Sequence, residues 1–182
     1  MKTNRENKLK ISVHDIALIG MMTAILEVSK VILSFLPNVE LVTFWIIMFT
    51  LFFGPKVIYS IIAFILIEIS VYGIHTWVIM YFYTWPTLAL IVCLCRKNRS
   101  IWLYSILSGI YGLLFGFFCA IPYLFIGAVD GGIRSGLIMA FNWWVAGIPF
   151  DLVHGVANFM LMFVLYTPVR ALLDRAHARE FV

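Results

Sequence analysis

The sequence predicts an all-α membrane protein of six transmembrane helices with both termini in the cytoplasm, and three observations predict it. First, 63% of its 182 residues are hydrophobic and only 12% charged, against about 25% charged in soluble domains. Second, the apolar residues fall in runs near 20 residues without strict alternation. Such runs cross a hydrocarbon layer of about 30 Å as helices that satisfy their own backbone hydrogen bonds. Third, the Lys and Arg residues gather on one side of the resulting arrangement.

The first span, 16–36, follows ten polar residues and lacks a small-x-small cleavage site, so it reads as a retained helix rather than a signal peptide. Pro37-Asn38 breaks it. The second, 39–54, ends at Gly54-Pro55; the third, 57–73, ends at Gly73; the fourth, 77–95, gives way to the polar stretch Arg96 to Ser100. The fifth, 101–127, runs into the Gly-rich stretch Gly127 to Gly136, and the sixth covers 142–168. A short second span and a long fifth predict tilt or shielding by neighbours. No internal repeat divides the chain, so 1–182 is expected to be one membrane-embedded domain.

Eleven of the thirteen Lys and Arg residues, including Lys2, Arg5, Lys8, Lys10, Lys56, Arg96 and Arg170, fall on one side. Arg134 alone falls on the other, which places both termini in the cytoplasm. These basic residues flank spans instead of interleaving with exposed aromatics, so nucleic acid is not an expected partner. No phosphate-cradling G-x-x-x-x-G-K-[ST] loop occurs, and Gly54-Pro55-Lys56 is too short to act as one. Any ATP-driven work must come from a partner. Cys93, Cys95 and Cys119 lie in apolar runs and read as packing residues.

An ionisable group in hydrocarbon costs about 2.5–3.5 kcal/mol on insertion scales, so Glu27, Lys30, Glu68, Asp151 and His154 each need a partner, a wet cavity or neutralisation. All fall in the outer half of their spans. A proton relay or channel strings polar groups across the whole thickness, whereas a receptor for an external ligand gathers them at one mouth. Glu27 and Lys30, three apart on a helix, either pair with each other or meet ligand, and Glu68 has the same two readings. Asp151, His154 and Asn158 share one face of the sixth helix, as a ligand cluster or an interhelical hydrogen-bond network. One imidazole and no thiolate make this stripe a poor metal site.

Trp77, Tyr81 and Trp85 recur every fourth residue of the fourth span, and Trp143 and Trp144 open the sixth. An interfacial belt accounts for Trp77 and Trp144. Trp85 lies too deep for that. Followed by Pro86, which is expected to kink the helix, it reads as an aromatic wall beside space for an organic ligand. His75, in an outward loop, is either solvated or a ligand contact. Pro37-Asn38-Val39-Glu40 is a turn or part of a lid. At the other end of the first span, Ala17, Gly20 and Ala24 share a face, and such a strip lets another helix approach closely, within the chain or from a partner.

An intramembrane enzyme is the competing class, but no nucleophile motif accompanies Asp151 and His154 and no H-E-x-x-H occurs, so no catalytic residue is expected. A purely structural membrane protein has no reason to confine its buried charges to one half.

With these features the chain resembles the S-component, the substrate-binding subunit, of energy-coupling-factor (ECF) type ABC transporters. The likeness covers nearly the whole chain: its length, six helices, cytoplasmic termini, basic N-terminus and small-residue strip. Members typically carry A-x-x-x-A where this chain has Gly20-x-x-x-Ala24, with Ala17 one turn earlier. Pro37-Asn38-Val39-Glu40-Leu41, Trp77 to Pro86 and Ile148 to His154 look most like the cobalamin-specific branch. The resemblance implies a multi-pass subunit of the plasma membrane that binds a vitamin from outside, cobalamin first and folate or pantothenate as alternatives, with no cofactor of its own. It also implies docking through Ala17, Gly20 and Ala24 on a transmembrane coupling subunit bearing two ATPase subunits. The substrate would be held by Glu40, Glu68, His75, Tyr81, Trp85, Trp143, Asp151, His154 and Asn158.

Overall fold

The structure, a computed structural model, describes residues 12–179; Lys2, Arg5, Lys8 and Lys10 lie outside them. Among the described residues every regular element is helical: α1 (Val13–Ile32), α2 (Val42–Phe53), α3 (Val57–Tyr72), α4 (Thr76–Cys95), α5 (Ile101–Leu113) and α6 (Phe115–Arg179). A 3-10 turn, Gly54–Lys56, joins α2 to α3. Four stretches are long and apolar enough to cross a membrane: Val42–Tyr72, Thr76–Cys95, Ile101–Val129 and Gly131–Arg175. α1 is set apart because any 18-residue window of it contains Asp15, Glu27 and Lys30.

Each boundary has a local cause. α1 starts at Ser12, whose hydroxyl accepts the Asp15 N–H while the Asp15 carboxylate accepts the Ser12 N–H, both at 3.1 Å. A hydrogen bond from Lys56 holds the Asp15 carboxyl down at about 2. α1 ends at Ile32, four residues before the expected 36: Leu33 caps it at φ −96°, ψ 4°, and the chain leaves through tight turns in which the Leu36 N–H donates to the Leu33 carbonyl at 2.9 Å and Asn38, after Pro37, takes φ 60°. α2 ends at Gly54, whose φ of 63° suits glycine, and a Cβ there would lie 2.6 Å from an Arg96 guanidinium nitrogen.

α2 has only 12 residues, about 18 Å at 1.5 Å each, too short to cross hydrocarbon alone. It is central instead: Val42, Thr43, Phe44 and 46–50 are all buried. Neighbouring helices take the place of lipid around it.

The largest departure from the expected layout is α6. The Gly-rich stretch is nearly all helix, and only Gly131 (φ −142°, ψ 19°) and Gly132 (φ 73°, ψ 177°) are non-helical. They divide α6 into arms 115–130 and 133–179 that fold back on each other, with Tyr123 stacked on Trp143 at 3.9 Å. Gly127 and Gly136 serve packing rather than a break: a Cβ on Gly127 would meet the Gly136 Cα at 2.9 Å. The second arm, expected over 142–168, spans 133–179, about 70 Å long, so its ends project beyond a hydrocarbon layer of about 30 Å.

Contacts set the register of the bundle. Asp15 meets Lys56, Ser60 Oγ reaches the Ile19 carbonyl at 3.4 Å, and Lys30 meets Glu68, so α1 and α3 run parallel. Tyr72 packs on Trp77 and Phe64 on Tyr81, so α4 returns antiparallel. Thr76 then faces Tyr123 and Tyr83 donates to the Phe118 carbonyl, which sets α4 antiparallel to α5 and the first arm. A small-residue seam zips that rod to the second arm: Gly109, Gly112 and Gly116 oppose Phe159, Gly155 and Asp151. Without a hydrophobic drive in lipid, close backbone approach of this kind supplies the dispersion that holds helices together.

Candidate ligand site

The register leaves the bundle with two unlike ends. One carries Lys56, Arg96, Arg99 and Arg170; towards the other gather Lys30, Glu40, Glu68, His75, Asp151 and His154.

Two polar clusters form there. In the first, the Lys30 ammonium donates to Glu68 Oε2 across α1 and α3. It does not form the within-helix pair with Glu27 that the spacing offers. Glu68 is fully buried, and Lys30 lies 4.8, 4.6 and 5.8 Å from the ring centroids of Tyr72, Trp77 and Tyr81. His75 precedes α4 and stacks on Trp77, exposed at the rim.

In the second, Glu40 stands just before α2 and accepts the N–H groups of Val42 and Thr43 and, at 2.5 Å, the Thr43 hydroxyl. An anion there meets the free N–H groups and positive dipole end of the helix. Glu40 Oε1 also lies 3.2 Å from His154 Nε2, tying α2 to the second arm. Three residues earlier on that arm, Asp151 Oδ1 accepts the Gly116 N–H at 2.8 Å. A Cβ on Gly116 would lie 2.2 Å from Asp151 Oδ2, so glycine permits this contact. Asn158, one turn deeper, is buried with Nδ2 unpartnered.

Aromatic rings join the clusters. Tyr81 meets Trp85 at 5.3 Å, Trp85 meets Phe115 at 5.7 Å, and Phe115 packs edge-on against His154 at 4.7 Å. Two cavities flank this chain of rings and share Phe115 as a wall. One, about 310 Å³, is lined by Lys30, Tyr72, Trp77, Met80, Tyr81 and Phe115. The other, about 370 Å³, is lined by Asn38, Phe115, Gly116, Cys119, Trp143 and Asp151, among others. Small-molecule sites run from about 300 to 1,000 Å³, so each has the volume of a compact ligand.

Of the residues expected at the site, Tyr81, Trp143 and Asp151 therefore line cavities. Glu40, Glu68 and His154 belong to the clusters behind the walls, and Trp85, 2% exposed, is wedged between them. The space expected beside Pro86 lies farther out, at Trp77 to Tyr81, and α4 runs through Pro86 without interruption. Ala17, Gly20 and Ala24 are all exposed on α1, and a Cβ on Gly20 would meet nothing within 4 Å, so the chain does not pack on this strip. Among the described residues no group of three His, Cys, Asp or Glu side chains could hold a metal ion.

Sequence reasoning missed Phe115 and Gly116, whereas Asn38, which lines the second cavity, belongs to the stretch Pro37 to Glu40 expected as a turn or part of a lid. Phe115 is one apolar residue in an apolar run and gives no signal. Gly116 does: Gly109, Gly112 and Gly116 repeat at three and four residues, which marks a face approached by another backbone.

Fold and site together define an all-helical, membrane-type bundle with an aromatic-walled polar centre toward one end. No family model, curated protein or solved structure matches the chain.

Proposed function

We propose that the protein is the membrane-embedded vitamin-binding subunit of an ECF-type ABC importer. The observation that carries this reading is the placement of the buried acidic and histidine side chains, Glu68, Asp151 and His154, toward one end, where aromatic rings and two cavities adjoin them. In this reading α1, α2, α3, α4, α5 with the first arm of α6, and the second arm are six spans. The end rich in Lys and Arg faces the cytoplasm, and the polar centre faces outward. The subunit turns over no substrate; it captures a ligand and hands it to a coupling subunit with two ATPases.

Cobalamin is the first ligand to test, on the strength of the sequence resemblance. A corrinoid is larger than either cavity, so its binding requires the helix ends around Phe115 to spread and the two cavities to merge. A second reading, a compact vitamin such as pantothenate, is favoured by the volumes as they stand, about 310 and 370 Å³.

The exposed strip at Ala17, Gly20 and Ala24 supports docking on a partner helix. Gly20→Leu or Ala24→Leu is expected to abolish co-purification with the coupling subunit and vitamin uptake, while vitamin affinity of the isolated subunit stays within about twofold, since the altered side chains project from the chain's own core. Loss of affinity in step with assembly would make the strip part of the binding fold instead.

A further inference from the structure

The outer face of the seam between α5 and the second arm carries a groove that shares no residue with the other two cavities. Ile106, Gly109 and Leu113 line one side and Gly155, Val156 and Phe159 the other, around a volume of about 380 Å³. Every residue that lines it is apolar. The two glycines make its floor: a Cβ on Gly109 would meet the Phe159 Cβ at 3.1 Å and the Gly155 carbonyl oxygen at 3.3 Å, so the rods touch there. Ile106, Ile110, Val156 and Met160 stand beside them, each half-exposed.

Followed toward the basic end of the bundle, the groove meets aromatic rings and then cations. Trp102, one turn before Ile106, is exposed and packs on Phe163 at 5.0 Å, and Phe163 in turn stacks on Phe159. Beyond these rings the buried Tyr166 hydroxyl donates to the Arg99 carbonyl at 3.2 Å and accepts from Arg170 at 2.6 Å, so both arginines stand at the head of the groove. Arg99 is exposed, and Arg170 meets only the exposed Asp174, at 3.6 Å, in a surface pair of little strength. Tryptophan settles at the headgroup level of a bilayer. Trp102 therefore sets the arginines among lipid phosphates and the groove in hydrocarbon. From Trp102 to Leu113 the helix rises about 16 Å, half of a hydrocarbon layer of about 30 Å. The groove is one leaflet deep, the length of a lipid chain, whereas a partner helix crossing the membrane needs a face that runs its full thickness.

We propose that this groove binds one anionic phospholipid, with its phosphate on Arg99 and Arg170 and an acyl chain laid along Gly109 and Gly155. A zwitterionic lipid offers the same chain but brings a cation beside the arginines. The inference takes from the proposed function only that these helices span a membrane, and it holds whether or not a vitamin binds.

The test is native mass spectrometry of the full-length protein in detergent, titrated with dioleoyl phosphatidylglycerol and, separately, with dioleoyl phosphatidylcholine. One phosphatidylglycerol per chain is expected, with phosphatidylcholine at least about tenfold weaker. Arg99→Gln and Arg170→Gln should each weaken phosphatidylglycerol about fivefold. Lys56→Gln removes one charge from the same end of the bundle, beside Asp15 of α1, and should leave that affinity unchanged. Val156→Trp fills the groove from an exposed position and touches no charge; it should weaken both lipids about tenfold with the elution profile unchanged. Wild-type protein that binds neither lipid, equal affinity for the two, a loss in Lys56→Gln as large as in Arg99→Gln, or full affinity in Val156→Trp would overturn the inference.

Discussion

Trp85→Ala is expected to weaken binding of the vitamin by about 2 kcal/mol or more, roughly thirtyfold in Kd. Trp85 touches Tyr81 and Phe115, and those two residues belong to the walls of the cavities flanking the aromatic chain. With the indole gone, Phe115 loses the surface that holds it between the cavities. The same truncation empties a site only 2% exposed and should reduce stability by about 3–5 kcal/mol, so affinity is to be measured on the monodisperse, folded fraction. Trp85→Phe keeps a ring in place and should recover most of the affinity. Asp151→Asn is expected to cost less, about 0.5–1.5 kcal/mol, because the amide oxygen still accepts the Gly116 N–H. Titration of the three variants with the vitamin that the wild type binds checks this order. Wild-type affinity in Trp85→Ala would move the site away from the rings of α4.

Gly112→Ala is expected to lower stability by about 1–3 kcal/mol. Its Cβ would fall 2.9 Å from Gly155 Cα, Gly155 N and the His154 carbonyl carbon, all backbone atoms of the second arm. No rotamer change relieves such a clash, and the two rods must part along the seam. Gly20→Ala is the matched control, since nothing lies within 4 Å of the added methyl. Thermal unfolding in detergent should show Gly112→Ala melting well below wild type and Gly20→Ala at or above it. Equal melting of the two variants would mean that the rods do not meet at Gly112 and Gly155.

What the sequence revealed of the fold divides along physical lines. α4 was legible to within a residue, 77–95 against Thr76–Cys95, because a polar loop bounds each side of an apolar run of span length. The second arm was not, because hydropathy reports which residues tolerate lipid and says nothing of a helix continuing past it. The glycines of 127–136 look alike in sequence, yet Gly132 turns the chain while Gly127 and Gly136 let two helices touch; which task a glycine performs depends on what packs against it. The one-sided placement of Glu68, Asp151 and His154 could be read from span direction alone. Their partners could not: Lys30 with Glu68 and Glu40 with His154 join residues 38 and 114 positions apart, beyond any helical spacing rule. Phe115, which divides the two cavities, is a chemically ordinary residue whose importance comes only from position.

The proposed vitamin site lies toward the end of the bundle opposite Lys56, Arg96, Arg99 and Arg170. Mass spectrometry of small molecules released from the protein, purified in detergent and then loaded with an equimolar mixture of cobalamin, folate and pantothenate, tests it most directly. The account predicts that one of these is retained at one molecule per chain by wild-type protein and depleted in Trp85→Ala. A folded, monodisperse wild-type protein that retains none of the three would contradict it.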